Sequence, residues 1–200
     1  MHCSSLGEFE QGKPVLESIR HRYPHYFILL TFFSPSGYEV RKNDPVADHI
    51  CYLPMDRPYT TQKFLNIVQP SLVLFVKYEY WFYYLTEIKE RDIPLLLISG
   101  VFREDQPFFK WYGGFYRKML ECFSHLFVQN ESSLSRLAQI GYAHKFINGI
   151  IDVNYNKIKR DDIPFLNINE KKKVIKLKKT DIIGYPQLEQ LKKLNILVQQ

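Results

Sequence analysis

Apolar residues in this chain fall in short unbroken runs: Tyr26–Phe33, Ile50–Leu53, Leu72–Val76, Pro94–Ser99 and Leu126–Gln129, with Lys145–Ile150 as a further candidate. Each run is four to eight residues long, rich in Leu, Ile, Val or Phe, and does not alternate with polar residues. A strand with one wet face alternates; an unbroken run belongs to a strand buried on both faces, the habit of parallel sheets covered by helices above and below. Between the runs lie helix-like stretches, Glu8–Arg22, Tyr59–Val68, Glu79–Arg91, Pro107–Cys122 and Glu131–Ile140. Strands separated by helices of this length make βαβ units, so the predicted fold class is α/β, a doubly wound parallel sheet.

Two irregularities modify that reading. The chain opens on a loop and helix, Ser4-Ser5-Leu6-Gly7-Glu8, where a strand is expected first; Met1-His2-Cys3 supplies at most the end of that strand, predicted to be the central one. Beyond about Ile151 the rhythm weakens. Of 31 aromatic residues only Tyr155, Phe165 and Tyr185 lie past position 150, and residues 157–179 hold nine Lys/Arg against three Asp/Glu, which accounts for the whole net charge of +6. The predicted organisation is a domain over residues 1–150 and a divergent Lys-rich tail over 151–200, with a helix expected at Pro186–Val198.

Several classes are disfavoured. Cys3, Cys51 and Cys122 are scattered and odd in number, which points to a reducing compartment rather than a disulfide framework. The six histidines include no HExxH and no i, i+4 pair, so no metal site is expected. No apolar run reaches the roughly 18–20 residues of a membrane span, and the polar opening with Glu8 and Glu10 is unlike a signal peptide. There is no GxGxxG, no GxxxxGK[ST] and no GxSxG. A nucleic-acid role would rest on residues 157–179 alone, where a single aromatic leaves base stacking unsupported; anionic lipid is the more natural partner for that charge.

In a parallel α/β sheet the ligand lies beyond the carboxyl ends of the strands. The first such junction carries Ser5, Gly7 and Glu8: a serine suited to cap a helix, a glycine that lets a ligand approach the backbone, and a carboxylate in the first helical turn. The helix dipole is expected to keep Glu8 ionised, as a general base requires, although a first-turn Glu also serves the dipole alone. The second junction, Thr31-Phe32-Phe33-Ser34-Pro35-Ser36-Gly37, offers hydroxyls and a glycine ahead of a helix. The third, Lys77-Tyr78-Glu79-Tyr80-Trp81, sets Lys77 and Glu79 among aromatic rings suited to stacking on a sugar, or to a core. Ser99-Gly100 and Gln129-Asn130-Glu131 end the next two strands in polar groups.

These junctions appear in unbroken order across residues 2–150: His2-Cys3-Ser4-Ser5-Leu6-Gly7-Glu8-Phe9-Glu10-Gln11-Gly12, Leu30-Thr31-Phe32-Phe33-Ser34-Pro35-Ser36-Gly37-Tyr38-Glu39, Tyr52-Leu53-Pro54-Met55-Asp56, Val76-Lys77-Tyr78-Glu79-Tyr80-Trp81, Phe102-Arg103-Glu104-Asp105-Gln106-Pro107-Phe108-Phe109-Lys110-Trp111-Tyr112 and Phe127-Val128-Gln129-Asn130-Glu131. Together they resemble the N-terminal half of the bacterial 3-deoxy-D-manno-octulosonic acid (Kdo) transferases. The resemblance implies a Rossmann-like acceptor-binding domain of a two-domain GT-B glycosyltransferase that passes Kdo from CMP-Kdo to a lipid A precursor in lipopolysaccharide biosynthesis. It implies inversion at the anomeric carbon without a bound metal or other cofactor, at the cytoplasmic face of the bacterial inner membrane. By motif, Glu8 falls on the catalytic base and Glu79 on the second acidic position, while Ser34, Ser36 and Gly37 match the acceptor-side loop; Ser5, Gly7 and Lys77 complete the expected acceptor site.

Measured against that family, the first strand and the donor domain are largely missing, and the expectation is an incomplete form. An alternative of a different class is a non-catalytic fragment that binds the acceptor or a partner. A soluble sugar-nucleotide enzyme is a third reading, which the absent Gly-rich loop counts against.

Overall fold

The computed structural model describes residues 1–142. Six parallel strands, β1 (His2–Cys3), β2 (Leu29–Phe32), β3 (His49–Tyr52), β4 (Val73–Val76), β5 (Leu95–Gly100) and β6 (His125–Val128), form one sheet in the order β3-β2-β1-β4-β5-β6. The connecting helices are α1 (Leu6–Arg22), α2 (Pro35–Arg41), α3 (Pro58–Val68), α4 (Phe82–Glu90) and α5 (Gly114–Leu120), and α6 (Glu131–Gln139) follows β6. This is the doubly wound, Rossmann-like sheet the apolar runs predict: the order runs outward from β1 in both directions, so the direction of winding reverses between β1 and β4.

Burial on both faces explains the runs. On β4 and β5, Leu74, Val76, Leu96 and Ile98 pack with Phe9, Val15 and Leu16 of α1, whereas Phe75, Leu95 and Leu97 pack with Phe64 and Leu65 of α3 and Leu85 and Ile88 of α4. Successive side chains thus feed two separate cores, and neither face needs polar residues. On α1 the buried set Phe9, Gly12, Val15 and Leu16 recurs at helical spacing. Each large apolar side chain so buried contributes about 1.5–3 kcal/mol. Cys3, Cys51 and Cys122 are free and buried.

β1 is short, as expected, yet it holds the centre of the sheet. His2 and Cys3 pair with Thr31 and Phe32 on one side, and His2 pairs with Phe75 on the other. Met1 extends the contact, accepting from the Thr31 N–H (2.9 Å) and donating its amino group to the Leu29 carbonyl (2.7 Å). Below it, between the amino-terminal parts of β2 and β4, lies an apolar cavity of about 190 Å³ lined by Met1, Leu16, Leu29, Leu72 and Leu74.

Two predicted helices differ from the observed ones. The helix expected at Glu79–Arg91 begins at Phe82, because Asp56 accepts hydrogen bonds from the Tyr83 and Tyr84 amides (3.2 and 3.0 Å) and so satisfies the start of α4 there, leaving Glu79 in the preceding connection. The helix expected at Pro107–Cys122 splits into a 3₁₀ turn, Pro107–Phe109, and α5. Gly113 permits the break: a Cβ there would stand 2.1 Å from the Pro107 carbonyl oxygen, so only glycine lets the chain fold back so tightly. The candidate strand Lys145–Ile150, the boundary near 150, the Lys-rich stretch 157–179 and the helix at Pro186–Val198 lie outside the described residues.

Candidate active site

A sheet with this strand order opens a crevice where the winding reverses, at the carboxyl ends of β1 and β4. β1 leads through Ser4 and Ser5 into α1; β4 leads through Lys77–Trp81 into α4. The two loops diverge and bring Glu8 and Glu79 to the same crevice from opposite sides.

Glu8 is the third residue of α1. Its Oε2 accepts a hydrogen bond from the Ser5 N–H (2.9 Å), and with Ser5 it forms a capping box, so the carboxylate is folded back over the helix start. Glu79 is only 3% exposed. The Trp81 indole N–H donates to its Oε2, and His2 Nε2 lies 3.3 Å from the same oxygen. The other ring nitrogen of His2, Nδ1, is 2.9 Å from Thr31 Oγ1. A polar line therefore crosses the carboxyl ends of three neighbouring strands: Thr31 of β2, His2 of β1, and Glu79 just past β4. Aromatic rings wall it in. Phe75 and Trp81 present edges to the His2 ring at 5.6 and 6.1 Å, and Phe33 packs on Trp81 at 4.8 Å.

The two carboxyls are driven apart in proton affinity. Burial works to raise Glu79, but hydrogen bonding and charge from His2, with hydrogen bonds from Ser4 and Trp81, outweigh it and hold Glu79 below the usual carboxylate range. Glu8 is pushed up, by burial first and by the negative charge of Glu79 second, against hydrogen bonds from the Ser5 and Ser4 amides and the Ser5 hydroxyl. At Glu8 desolvation and a like charge outweigh the donors of the helix start, so its proton affinity lies above that of an ordinary carboxylate. The arrangement keeps one carboxylate as a fixed anion and gives the other a raised affinity for a proton, the pattern by which neighbouring acids take separate roles.

The remaining expected residues divide. Ser5 caps α1, and Gly7 is exposed with open space where a Cβ would stand, so a ligand can reach the backbone there. Ser34 caps α2, accepting from the Ser36 N–H (3.2 Å) with its Oγ 3.0 Å from Ser36 Oγ; its own N–H donates to the Ser4 carbonyl (2.7 Å), which ties the first two junctions together. Gly37 is buried, and a Cβ there would lie 2.3 Å from the Phe32 ring and 3.2 Å from the Leu6 nitrogen, so its visible role is the close approach of α2 to β2 and α1. Lys77 leaves β4 with φ of 74°, and its Nζ sits over the Tyr78 ring at 5.7 Å, while Glu79 turns inward. Among the described residues no three His, Cys, Asp or Glu side chains converge as metal ligands.

Sequence reasoning missed His2 as the partner of Glu79, and Thr31 as the partner of His2. Their signal was a polar residue in each of two strands that are otherwise apolar. It also missed Gln11, whose Oε1 accepts from Ser99 Oγ (2.9 Å) and from Gln129 Nε2 (3.3 Å), with Gln129 also donating to Ser99 Oγ (3.0 Å). Gln11 lies three residues after Glu8, on the same helix face, and that spacing was the available clue.

The family model described as 3-deoxy-D-manno-octulosonic-acid transferase (kdotransferase) matches residues 1–156. The 3-deoxy-D-manno-octulosonic acid transferase of Haemophilus influenzae is 28% identical over 169 residues, covering 82% of this chain and 39% of that protein. The Rickettsia felis protein of the same name is 29% identical over 171 residues, covering 80% of this chain and 36% of its own length. A bifunctional glycosyltransferase/methyltransferase of Fusobacterium nucleatum is 23% identical over 184 residues, covering 86% of this chain and 29% of its own length. The chain thus spans well under half the length of these relatives, and the six-stranded sheet is of the kind expected for the N-terminal half of a GT-B glycosyltransferase. With the model matched across residues 1–156 of 200, the chain belongs to the 3-deoxy-D-manno-octulosonic-acid transferase (kdotransferase) family.

Proposed function

We propose that this chain is the acceptor-side domain of a glycosyltransferase that moves Kdo from CMP-Kdo to a lipid A precursor, and that Glu8 is its general base. The observation that carries the reading is the pair of carboxyls at the winding reversal, one anchored as an anion by His2 and the other raised in proton affinity. In the proposed step Glu8 takes the proton of an acceptor sugar hydroxyl. The hydroxyl oxygen bonds to the anomeric carbon of Kdo as the bond from that carbon to the CMP phosphate oxygen breaks, and the electron pair leaves with CMP. A base whose pKa lies nearer the working pH is the stronger proton acceptor, which suits a raised Glu8. Glu79 supplies the nearby negative charge, and Ser5, Gly7, Ser34, Ser36, Gly37 and Lys77 form the surrounding acceptor surface. The reaction needs no bound metal or cofactor in this reading, and it takes place at the cytoplasmic face of the inner membrane. None of the helices among the described residues is long and apolar enough to cross a membrane.

A transfer assay with the purified chain, lipid A precursor and CMP-Kdo generated in situ, run beside acceptor binding, tests this. The expected outcome is acceptor binding by this chain, with Glu8→Gln abolishing transfer wherever transfer is measured while leaving acceptor binding intact. Transfer retained by Glu8→Gln would sink the assignment of the base. A chain that binds acceptor but supports no transfer in any assembly would favour the non-catalytic reading instead.

A further inference from the structure

The connection after β5 departs from the rest of the surface. Residues 107–120 hold six aromatics, Phe108, Phe109, Trp111, Tyr112, Phe115 and Tyr116, with the cations Lys110, Arg117 and Lys118 and no acidic residue. Phe108 is buried and anchors the turn, but Trp111 is 92% exposed, Tyr112 56% and Phe115 53%. The turn is held rather than loose: Arg117 donates to the Phe108 and Lys110 carbonyls (2.9 and 3.2 Å), and the Gly113 N–H donates to the Lys110 carbonyl (2.9 Å). The patch continues onto α4, where Phe82 packs on Phe115 at 5.1 Å and on the half-exposed Tyr83 at 5.2 Å.

We propose that this face is an interfacial docking surface for an anionic lipid bilayer. Exposed rings of this size cost free energy in water and gain it when buried. A protein partner would be met by aromatic anchors as well, but the sign of the charge selects here. Every charged residue of the segment is cationic, and Trp and Tyr beside Lys and Arg are the residue types that settle at the headgroup level of a charged membrane. Acids flank the segment rather than enter it: Glu104 and Asp105 precede it and Glu121 follows it, with Asp105 3.6 Å from Arg103 and Glu121 accepting from the Tyr142 hydroxyl (3.0 Å), while Asp56 caps α4. The surface also has a direction. The 3₁₀ turn follows the carboxyl end of β5, so it lies on the edge of the sheet that carries Glu8 and Glu79, and Phe82 begins α4 three residues after Glu79. Docking there turns the crevice toward the membrane. Exposure and charge alone make this surface, so it docks whether or not the proposed sugar transfer takes place.

The test uses the full chain and vesicles of phosphatidylcholine with or without phosphatidylglycerol, with no acceptor or donor present. The chain has two tryptophans, so Trp81→Phe leaves Trp111 as the single reporter. The expected result is a blue shift of Trp111 emission on phosphatidylglycerol vesicles and quenching by brominated acyl chains. Trp111→Ala with Phe115→Ala should lower vesicle partitioning on the order of tenfold or more, and Lys118→Glu should lower it less. All three side chains are exposed, so circular dichroism of the variants should match the parent. The idea is overturned if no vesicles bind, or if they bind while Trp111 emission stays unchanged, which would place the contact elsewhere, for example on residues 157–179. A Trp111 shift that follows protein concentration without lipid would assign the patch to pairing between copies and overturn it equally.

Discussion

α1 serves two partly buried polar clusters built on different principles. Its third residue, Glu8, faces the His2–Glu79 cluster at the ends of β1 and β4; Gln11, one turn on, closes the Ser99–Gln129 cluster at the ends of β5 and β6. The first is charged, and each member changes the proton affinity of the next. The second is neutral: two amides and a hydroxyl exchange three hydrogen bonds, so it fixes geometry without titrating. A buried charge must borrow stability from partners, whereas a neutral, part-buried amide pair leaves no charge to compensate. The proposed chemistry sits with the cluster that has an unbalanced charge.

The largest test of that contrast is Glu79→Leu, which leaves His2 beside Thr31 without its carboxylate; stability in urea should fall by about 3–5 kcal/mol. Milder loss with Glu79→Gln would show how much of that is charge. Where transfer is measurable, Glu79→Gln should also move the acid limb of the pH–rate profile to lower pH. Removal of the negative neighbour lowers Glu8, and the base form is lost only as pH falls through its pKa. An unmoved limb would mean the two carboxyls do not communicate.

On the neutral side, Ser99 has φ of 58°, a region strained for a β-branched residue. Ser99→Val should cost about 2–3 kcal/mol by adding strain and removing the hydroxyl that both amides use, while Ser99→Gly should cost about 1 kcal/mol or less, because relief of strain offsets the lost hydrogen bonds. Gln11→Leu should cost about 1 kcal/mol and leave any pH–rate profile where it was, since no member of that cluster titrates.

The smallest effect is a gain. A carboxyl raised in the folded state contributes stability below its unfolded pKa and loses it as pH rises through the folded pKa. Glu8→Gln keeps an acceptor for the Ser5 amide and removes that loss, so its melting temperature at neutral pH should exceed that of the parent, and the difference should vanish in acid. A lower melting temperature would mean that the helix cap outweighs desolvation.

Much of this was legible before any tertiary information. The runs Leu72–Val76 and Pro94–Ser99 read as strands buried on both faces because Leu74 and Phe75, or Leu96 and Leu97, enter opposite cores. Glu8 was legible because Ser5 and Glu8 have the spacing of a capping box at a strand-to-helix junction. Glu79 was found, but on the wrong element and with the wrong companion: Lys77 is its near neighbour in sequence, yet its partner is His2, 77 residues away.

The amino-acid sequence by itself determined the doubly wound class, the β/α alternation, and which strand ends carry polar groups, because those depend on local periodicity and short-range capping. Tertiary structure alone decided that two residues suffice for β1 to pair on both sides, and that His2 stands between Thr31 and Glu79. It also decided that Glu8 is raised rather than lowered. Proton affinity in a crevice depends on desolvation and on charges that arrive from distant parts of the chain, and neither is written in any local pattern.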